Sequence, residues 1–291
     1  MSRPRAILLA HRERSGVEEA LPGIRATLRT HAEIVADLPA NPHADAVPIA
    51  ASEAFDVAVV VGGDGTILAQ ARRLLDRRTP IVGINFGRLG FLAEFDPASF
   101  ALHAERSLSP QAIIRERMVL HATVHGRDGG LKASGVAIND CVVTAGPPYR
   151  LIELRLTVDG QPGPTLAGDG VIVATPIGST AYSVSAGGPI VHPDVDSFVI
   201  TPHCAHSLAF RPVVVPARSR LEIEVARANE GTATVFDGQG LVPLSAGDRV
   251  RIEEHRVKAR LVGNPEGSYW RTLLDKMRWA ATPGYRERNP S

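Results

Sequence analysis

Val-Ala-Val-Val-Val-Gly-Gly-Asp-Gly-Thr occupies residues 57–66 and sets the architecture of the first part of the chain. Its apolar run predicts a buried strand over 55–61, and its glycines predict a tight turn where a phosphate can approach the backbone. Apolar residues at helical spacing then predict a helix over 66–78, ended by Pro80. Because a helix N-terminus offers free N–H groups, this strand–turn–helix arrangement predicts a phosphate site. The alternative is a plain glycine turn in which Asp64 caps the helix.

Alternating strands and helices surround this motif. The predicted elements are strands over 6–10, 34–35, 55–61 and 81–84 and helices over 16–30 and 66–78. Strands that are apolar on both faces are typical of a parallel sheet covered by helices. Residues 1–105 are therefore predicted to form an α/β nucleotide-binding domain with a parallel sheet. Residues 41–52 hold two prolines and many small residues, which predicts a loop.

The pattern changes in the second part of the chain. Over 106–265, short β-branched runs separated by Gly, Pro, Asn and Asp predict an all-β, NAD-binding domain built as a layered sheet or sandwich. Alternation over 151–158 predicts one buried strand face. Residues 266–291 are predicted to hold a helix over 269–280, packed back on the first domain, and a frayed tail. The strands predicted in the β domain include 120–124, 136–138, 151–158, 171–174, 213–215, 221–225, 232–236 and 250–253.

The composition bounds the class of protein. A chain of 291 residues, 44% hydrophobic and 22% charged, is typical of a soluble globular protein of about two domains. The net charge of +1 gives no bulk electrostatic reason to expect nucleic acid or a membrane as partner. The apolar stretch near the N-terminus is too short for a signal peptide, and Cys141 and Cys204 are expected to be reduced thiols. We therefore expect a cytoplasmic protein.

A second glycine-rich signature lies at residues 168–189, Gly-Asp-Gly-Val-Ile-Val-Ala-Thr-Pro-Ile-Gly-Ser-Thr-Ala-Tyr-Ser-Val-Ser-Ala-Gly-Gly-Pro. A strand over 171–174 runs into small residues, which allow close approach of a base or sugar, and into hydroxyls, which can position ribose and phosphate groups. A serine- and glycine-rich loop between strands is the plain alternative. Upstream, Asn139 offers a donor and an acceptor to an adenine edge, and Asp140 can accept from ribose hydroxyls or an amino group.

Together these motifs resemble the NAD kinase family, which phosphorylates the 2′-hydroxyl of the adenosine ribose of NAD. The first motif alone also resembles diacylglycerol and sphingosine kinases, whereas Thr-Pro-x-Gly-Ser-Thr-Ala-Tyr-Ser at 175–183 is similar to NAD kinases. The likeness runs roughly from residue 55 to 239 and implies the two-domain NAD kinase fold. Other similar segments are Asn-Phe-Gly-Arg-Leu-Gly-Phe-Leu at 85–92, Ala-Ile-Asn-Asp at 137–140, residues 202–212 and Phe-Asp-Gly-Gln at 236–239.

The resemblance implies a kinase that uses ATP with Mg²⁺ and takes NAD as its substrate. Asp64 would be the catalytic residue, a general base toward the 2′-hydroxyl as it attacks the γ-phosphate, while the glycine-turn amides and Mg²⁺ stabilise charge. NAD would lie across the domain boundary, and the chain would form a homodimer or homotetramer through the β domain. The residues implied to bind nucleotide are Gly63, Asp64, Gly65, Arg88, Phe91, Asn139, Asp140, Arg150, Asp169, Thr180, Ala181, Tyr182, Ser183, Ser185 and Gln239.

The chain departs from the family's pattern at three positions. Ala69 and Ala167 stand where family members carry a basic residue, and Ile177 stands where threonine is usual. Arg88 and Arg150 are candidates to supply the missing positive charge, although either could equally be a solvated surface group.

Two other functions stay open at this point. A lipid kinase would share the first motif and would show an apolar, membrane-facing surface. A catalytically weak sensor that binds NAD(P) would be consistent with Ala69 and Ala167. His203, Cys204 and His206 suggest a metal, but no second His/Cys cluster completes a tetrahedral site, so no metal-binding residue is predicted.

Overall fold

A computed structural model describes residues 3–41, 48–49, 54–86, 90–148, 150–207 and 209–279. Most of the predicted loop over 41–52 lies outside these residues, as do Arg88 and the tail over 286–291. Within the described part, the strands form three six-stranded sheets. An α/β part with a parallel sheet is combined with antiparallel all-β sheets, and the predicted fold class is confirmed.

The strands are β1 (Arg5–Ala10), β2 (Glu33–Pro39), β3 (Val57–Val61), β4 (Ile81–Ile84), β5 (Ile114–Arg117), β6 (Leu120–His125), β7 (Leu131–Ala137), β8 (Asp140–Thr144), β9 (Ile152–Val158), β10 (Gln161–Gly168), β11 (Gly170–Ala174), β12 (Ser197–His203), β13 (Val213–Pro216), β14 (Leu221–Arg227), β15 (Ala233–Phe236), β16 (Gly240–Pro243), β17 (Arg249–Glu254) and β18 (Ala259–Val262). The helices are α1 (Val17–His31), α2 (Asp64–Arg73), α3 (Pro97–Ser107), α4 (Tyr182–Ser185) and α5 (Tyr269–Met277). None of the helices in these described ranges is long and apolar enough to cross a membrane.

The first sheet has the order β2-β1-β3-β4-β18-β5. Its first five strands pair in parallel, and only β5 runs antiparallel, against β18. Every residue of β3 is buried because α1 and α3 cover one face of this sheet and α2 covers the other. Parallel pairing brings the carboxyl ends of β1, β3 and β4 to one edge, and this edge positions the first half of the candidate site.

The helix after the glycine turn differs from the prediction over 66–78. It begins at Asp64 and ends at Arg73, and a separate 3₁₀ turn covers Leu75–Arg77. Gly63 is extended (φ −89°, ψ 178°), and its carbonyl accepts from Thr66 N at 2.9 Å and from Ile67 N at 3.1 Å. The first helical turn therefore forms two residues earlier than the apolar periodicity indicates, and it carries the Asp64 side chain.

The two antiparallel sheets have the orders β10-β9-β14-β17-β6-β7 and β13-β12-β11-β8-β15-β16. Their facing sides share one core, which includes Leu154, Val173, Phe198 and Ile223. The predicted alternation along β9 is present: Ile152, Leu154 and Leu156 are buried while Arg155 is exposed. Pairing of β8 with β11 aligns Asp140 with Ala174, so the Ala-Ile-Asn-Asp segment at 137–140 lies beside the glycine-rich signature at 168–189.

Strands beyond residue 105 also enter the first sheet. β5 and β18 both belong to it, so the chain leaves the α/β part, builds the two β sheets and returns. After β18, Asn264 Nδ2 donates to Glu94 O at 3.0 Å, and Leu273 of α5 is buried. The domain boundaries at 105/106 and 265/266 remain a prediction; the pairing shows only that two strands from 106–265 extend the first sheet.

Candidate active site

The glycine turn after β3 is packed tightly around Thr66. A Cβ added to Gly62 would lie 2.6 Å from Thr66 Oγ1, so only glycine fits there while the threonine folds back over the turn. Thr66 Oγ1 lies 3.3 Å from His11 Nδ1, which follows β1. Gly65, in the first turn of α2, is exposed at the sheet edge, where open α/β sheets bind ligands.

The carboxylate of Asp64 is fixed by the turn that follows β4. Phe91 N donates to Asp64 Oδ2 at 3.0 Å, and Ala93 N donates to Oδ1 at 3.1 Å. Gly90 lies directly against the same carboxylate, and a Cβ added there would overlap with its oxygens. The side chain is only half-buried, so its oxygens remain accessible while two N–H groups set their direction.

Arg14 is a candidate site residue that the sequence did not indicate. Its guanidinium lies over the glycine turn: a Cβ added to Gly63 would lie 2.5 Å from Arg14 Nη1. Arg14 Nη2 donates to Phe86 O at 3.1 Å and to Asn85 Oδ1 at 3.3 Å, which holds the side chain across the ends of β3 and β4. The half-buried guanidinium therefore places positive charge beside the turn.

The predicted sources of positive charge are placed differently. Arg88 lies outside the described residues. Arg150 is exposed in the connection between β8 and β9, and the described part of the chain shows no hydrogen bond or ion pair for it.

The second half of the site is the turn that precedes β8. Thr175 N donates to Asn139 O at 2.8 Å, and Thr175 Oγ1 donates to Ile138 O at 2.5 Å. A Cβ added to Gly178 would overlap with the Asn139 carbonyl. The Thr-Pro-Ile-Gly segment thus packs directly on the Asn139–Asp140 turn. Gln239 joins the two halves of the site, since its Nε2 donates to Gly65 O at 3.2 Å.

A polar cluster continues from this turn along α4. Tyr182 is exposed, and its hydroxyl lies 3.1 Å from His203 Nε2. Burial, followed by nearby negative groups that include Asp169, raises the pKa of Tyr182, which keeps the phenol protonated. Cys204 adopts a left-handed backbone (φ 47°), and its hydrogen bond to Asp169 raises the pKa of the thiol. No group of three or more His, Cys, Asp or Glu side chains suited to hold a metal occurs within the described ranges.

The remaining predicted residues differ in accessibility. Ser185 is exposed, and Thr180 and Ala181 are half-buried. Ser183 is fully buried, and its hydroxyl lies 2.8 Å from Thr201 Oγ1. The Ser183 side chain is therefore not accessible to a ligand in this structure. Phe91 is half-buried and lies against the Tyr269 ring, with 6.0 Å between ring centroids.

A cavity of about 740 Å³ adjoins the 90–93 turn, between α5 and the first sheet. Two of its lining arginines are paired: Arg115 Nε lies 2.8 Å from Glu94 Oε1, and Arg117 Nη1 lies 2.8 Å from Asp194 Oδ1. The cavity provides open space next to Phe91.

Asp140 is a buried carboxyl group with an altered protonation equilibrium. Only 5% of the residue is exposed. Burial, and next the neighbouring Asp237 carboxylate, raise the pKa of Asp140 to about 7, although the backbone N–H of Tyr182 opposes the shift. The group therefore changes charge near neutral pH, where an ordinary aspartate is fully ionised.

The shift predicts a pH-dependent stability. An unfolded aspartate has a pKa of about 4, so between about pH 4 and pH 7 the folded state binds more protons, and the free energy of unfolding falls as the pH rises. Asp140→Asn is expected to flatten this dependence and to raise the free energy of unfolding at pH 8 by on the order of 1–3 kcal/mol. Urea unfolding at pH 5 and pH 8 measures it. Asp128→Asn, at an exposed turn, is the control; equal pH slopes in wild type and Asp140→Asn would contradict the assignment.

Comparison with known protein sequences matches two family models along the chain. The model of the ATP-NAD kinase N-terminal domain matches residues 12–112, and the model of the ATP-NAD kinase C-terminal domain matches residues 138–263. The NAD kinase of Rhodopirellula baltica is 35% identical over 98% of this chain and 89% of its own length. The NAD kinase of Desulforamulus reducens is 41% identical over 77% of each chain.

Solved structures show the same fold. The yeast NADH kinase complexed with NADH superposes with a TM-score of 0.83 at 22% identity, covering 97% of this chain and 89% of that chain. The NAD kinase from Archaeoglobus fulgidus in complex with ATP superposes with a TM-score of 0.76 at 29% identity, covering 94% and 98% of the two chains. With both family models matched and curated relatives similar over most of its length, the chain belongs to the ATP-NAD kinase family, transferases that phosphorylate NAD.

Proposed function

We propose that this chain transfers the γ-phosphate of ATP to the 2′-hydroxyl of the adenosine ribose of NAD, giving NADP and ADP. The main support for the proposal is the position in which hydrogen bonds hold the Asp64 carboxylate. Asp64 lies at the start of α2, and its carboxylate accepts hydrogen bonds from Phe91 N and Ala93 N. Gln239 links the adjoining Gly65 to the β domain. A carboxylate held between the glycine turn, which suits phosphate, and the Asn139–Asp140 turn, which suits a nucleoside, is well placed for transfer between two nucleotides.

In this proposal the β domain binds the acceptor nucleotide. Asn139 reads the adenine edge, and Asp140 accepts from ribose hydroxyls once it is ionised. Tyr182, Ala181, Thr180 and Ser185 line the same edge, while Asp169 meets the nicotinamide side or the ligand of a neighbouring subunit. Ser183 is kept from direct contact by its pairing with Thr201, and it supports α4.

The donor lies over the glycine turn. The amides of Gly63 and Gly65 and the guanidinium of Arg14 face the transferring phosphoryl group and its neighbours. Arg14 takes the place of the basic residues absent at positions 69 and 167. Mg²⁺ accompanies ATP; it is usually held by one or two carboxylates together with substrate phosphates, and Asp64 is the carboxylate at hand.

The chemical step needs one proton acceptor. The 2′-oxygen bonds to the γ-phosphorus, the bond from phosphorus to the β–γ bridging oxygen breaks, and ADP leaves. Asp64 orients the hydroxyl and takes its proton late in the transfer, since a carboxylate is a weak base toward a free hydroxyl. Most of the rate enhancement then comes from positioning and from charge stabilisation by the turn amides and Arg14.

We also infer a cytoplasmic homo-oligomer. Both cysteines are free thiols, as expected in a reducing compartment. The edge strands of the third sheet expose apolar side chains, Val213 and Val214 on β13 and Leu241 on β16, which suits pairing with another copy. Light scattering coupled to size exclusion gives the oligomeric state directly.

Asp64→Asn tests the proposed function. NADP formation from NAD, ATP and Mg²⁺, read by an NADP-specific dehydrogenase, is expected in wild type. It is expected to fall by about 10²–10⁴-fold in the variant, because an amide of similar size is not a base and keeps only one of the two acceptor oxygens. Wild-type protein that binds NAD yet forms no NADP would support the sensor alternative. Comparable rates in both proteins would refute the role of Asp64.

Gly90→Ala tests whether the Asp64 carboxylate must occupy its observed position. The added Cβ collides with Asp64, so the carboxylate must move, and kcat is expected to fall about 100-fold. Gly23→Ala in α1 is the matched control, since its Cβ meets nothing within 4 Å and activity should be retained. Full activity in Gly90→Ala would show that Asp64 need not occupy this position.

Arg14→Gln tests the donor side. Loss of a charge-assisted contact to the triphosphate is expected to raise the KM for ATP about tenfold, with the KM for NAD changed by less than about twofold. Arg12→Gln is the control in the same loop, because Arg12 Nη2 already pairs with Asp37 at 2.9 Å. An unchanged KM for ATP in Arg14→Gln would remove Arg14 from the donor site.

A further inference from the structure

A chain of polar contacts links α2 to the β domain beneath the candidate site. Its centre is Asp237, in the turn between β15 and β16, with a left-handed backbone (φ 50°) and a fully buried side chain. One carboxylate oxygen accepts from Ile138 N at 3.0 Å, and the other accepts from Asn139 N at 2.8 Å and Asp140 N at 3.1 Å. Three consecutive backbone N–H groups of the Asn139–Asp140 turn therefore bind one carboxylate.

Arg72 connects this carboxylate to the first domain. The residue lies on α2, the helix that begins at Asp64, and its Nε lies 3.6 Å from Asp237 Oδ2. Its Nη1 donates to Phe236 O at 3.3 Å, and its Nη2 donates to Gln239 Oε1. Since Gln239 also donates to Gly65 O, the contacts close a ring that runs from the glycine turn through α2 and back.

We propose that Asp237 and Arg72 are positioning residues for the acceptor nucleotide, holding the Asn139–Asp140 turn in register with Asp64 so that the bound ribose meets the catalytic carboxylate. The inference rests on the proposed function for the identity of that nucleotide. The contacts favour this role because both partners bind backbone groups of site-forming turns, Asp237 at 138–140 and Arg72 at Phe236, in addition to each other.

The pair also controls the charge next to Asp140. The titratable and charged groups around Asp140 are Asp237 from the β15–β16 turn, Arg72 from α2, the Tyr182 phenol from α4 and Cys141 in β8. The negative charge of Asp237 raises the pKa of Asp140; burial raises the pKa of Asp237 in turn, and the charge of Arg72 acts against that shift. Removing Asp237 or Arg72 breaks the same ion pair. However, Asp237→Asn takes away a negative charge, whereas Arg72→Met takes away a positive charge.

This opposition provides a test that a purely structural role would not pass. NAD binding to the full chain is measured by calorimetry from pH 5.5 to pH 9 for wild type, Asp237→Asn and Arg72→Met. At pH 9 both variants are expected to bind NAD about tenfold more weakly, because the turn is released. The pH midpoint for binding is expected to move down in Asp237→Asn and up in Arg72→Met.

Two further variants complete the design. Arg72→Lys keeps the positive charge but loses the hydrogen bonds to Phe236 and Gln239. It is therefore expected to weaken NAD binding at pH 9 while the pH midpoint stays near that of wild type. The same variant replaces Arg72→Met if that variant does not fold. Arg73→Met is the matched control on the same helix, since that guanidinium donates to Gln70 within α2. It is expected to leave both quantities unchanged.

The proposal is overturned if the variants bind NAD as wild type does at pH 9, or if the two midpoints move in the same direction. Wild-type NADP formation is assayed separately. If wild type forms NADP, the proposed function stands whatever the binding series gives. If wild type binds NAD without forming NADP, the proposed function fails while the binding series still decides the role of Asp237 and Arg72.

Discussion

The carboxylate of Asp64 accepts hydrogen bonds from Phe91 N and Ala93 N, and this pair of contacts constrains the rest of the site. It requires the turn after β4 to lie against the turn after β3, which parallel pairing of the two strands provides. It also requires the absence of a side chain at position 90, because any Cβ there would occupy the space of the carboxylate. Close packing explains three glycines of this edge, with Gly90 against Asp64, Gly62 against Thr66 and Gly63 against Arg14.

The β domain contributes a second rigid surface, and buried polar contacts set its position. Asn139 and Asp140 lie at a turn whose backbone is bound from two directions, by Thr175 just after β11 and by Asp237 in the turn after β15. Arg72 and Gln239 then tie that turn to α2 and the glycine turn. Buried charged groups are costly unless fully paired, so a network of this kind defines a single relative placement of the two surfaces. Transfer between two bound nucleotides depends on such a placement.

Much of this arrangement could be predicted from sequence. The strand over 81–84 has the predicted bounds because its residues are buried on both faces and flanked by clear breakers. The family motifs predict both halves of the candidate site, because each combines glycines and polar groups with a specific local geometry. The helix α3 was missed, although Asp96, Pro97 and Ser99 form a capping box with proline at the first helical position, a local signal that could have located it. Arg14, by contrast, reaches Gly63 only because β1 and β3 are neighbours in the sheet, and the pairing of Arg72 with Asp237 joins distant segments. Such contacts leave no periodic pattern along the chain.

We infer that Asp64 meets the 2′-hydroxyl of an NAD molecule held by the Asn139–Asp140 turn. A crystal structure of Asp64→Asn with NAD, ATP and Mg²⁺ tests this most directly. We expect the ribose 2′-oxygen within about 3 Å of the residue 64 side chain, the adenine beside Asn139, and the γ-phosphate over the glycine turn on the far side of that oxygen. NAD bound with its 2′-hydroxyl away from residue 64, or with its adenine outside the Asn139–Asp140 turn, would contradict it.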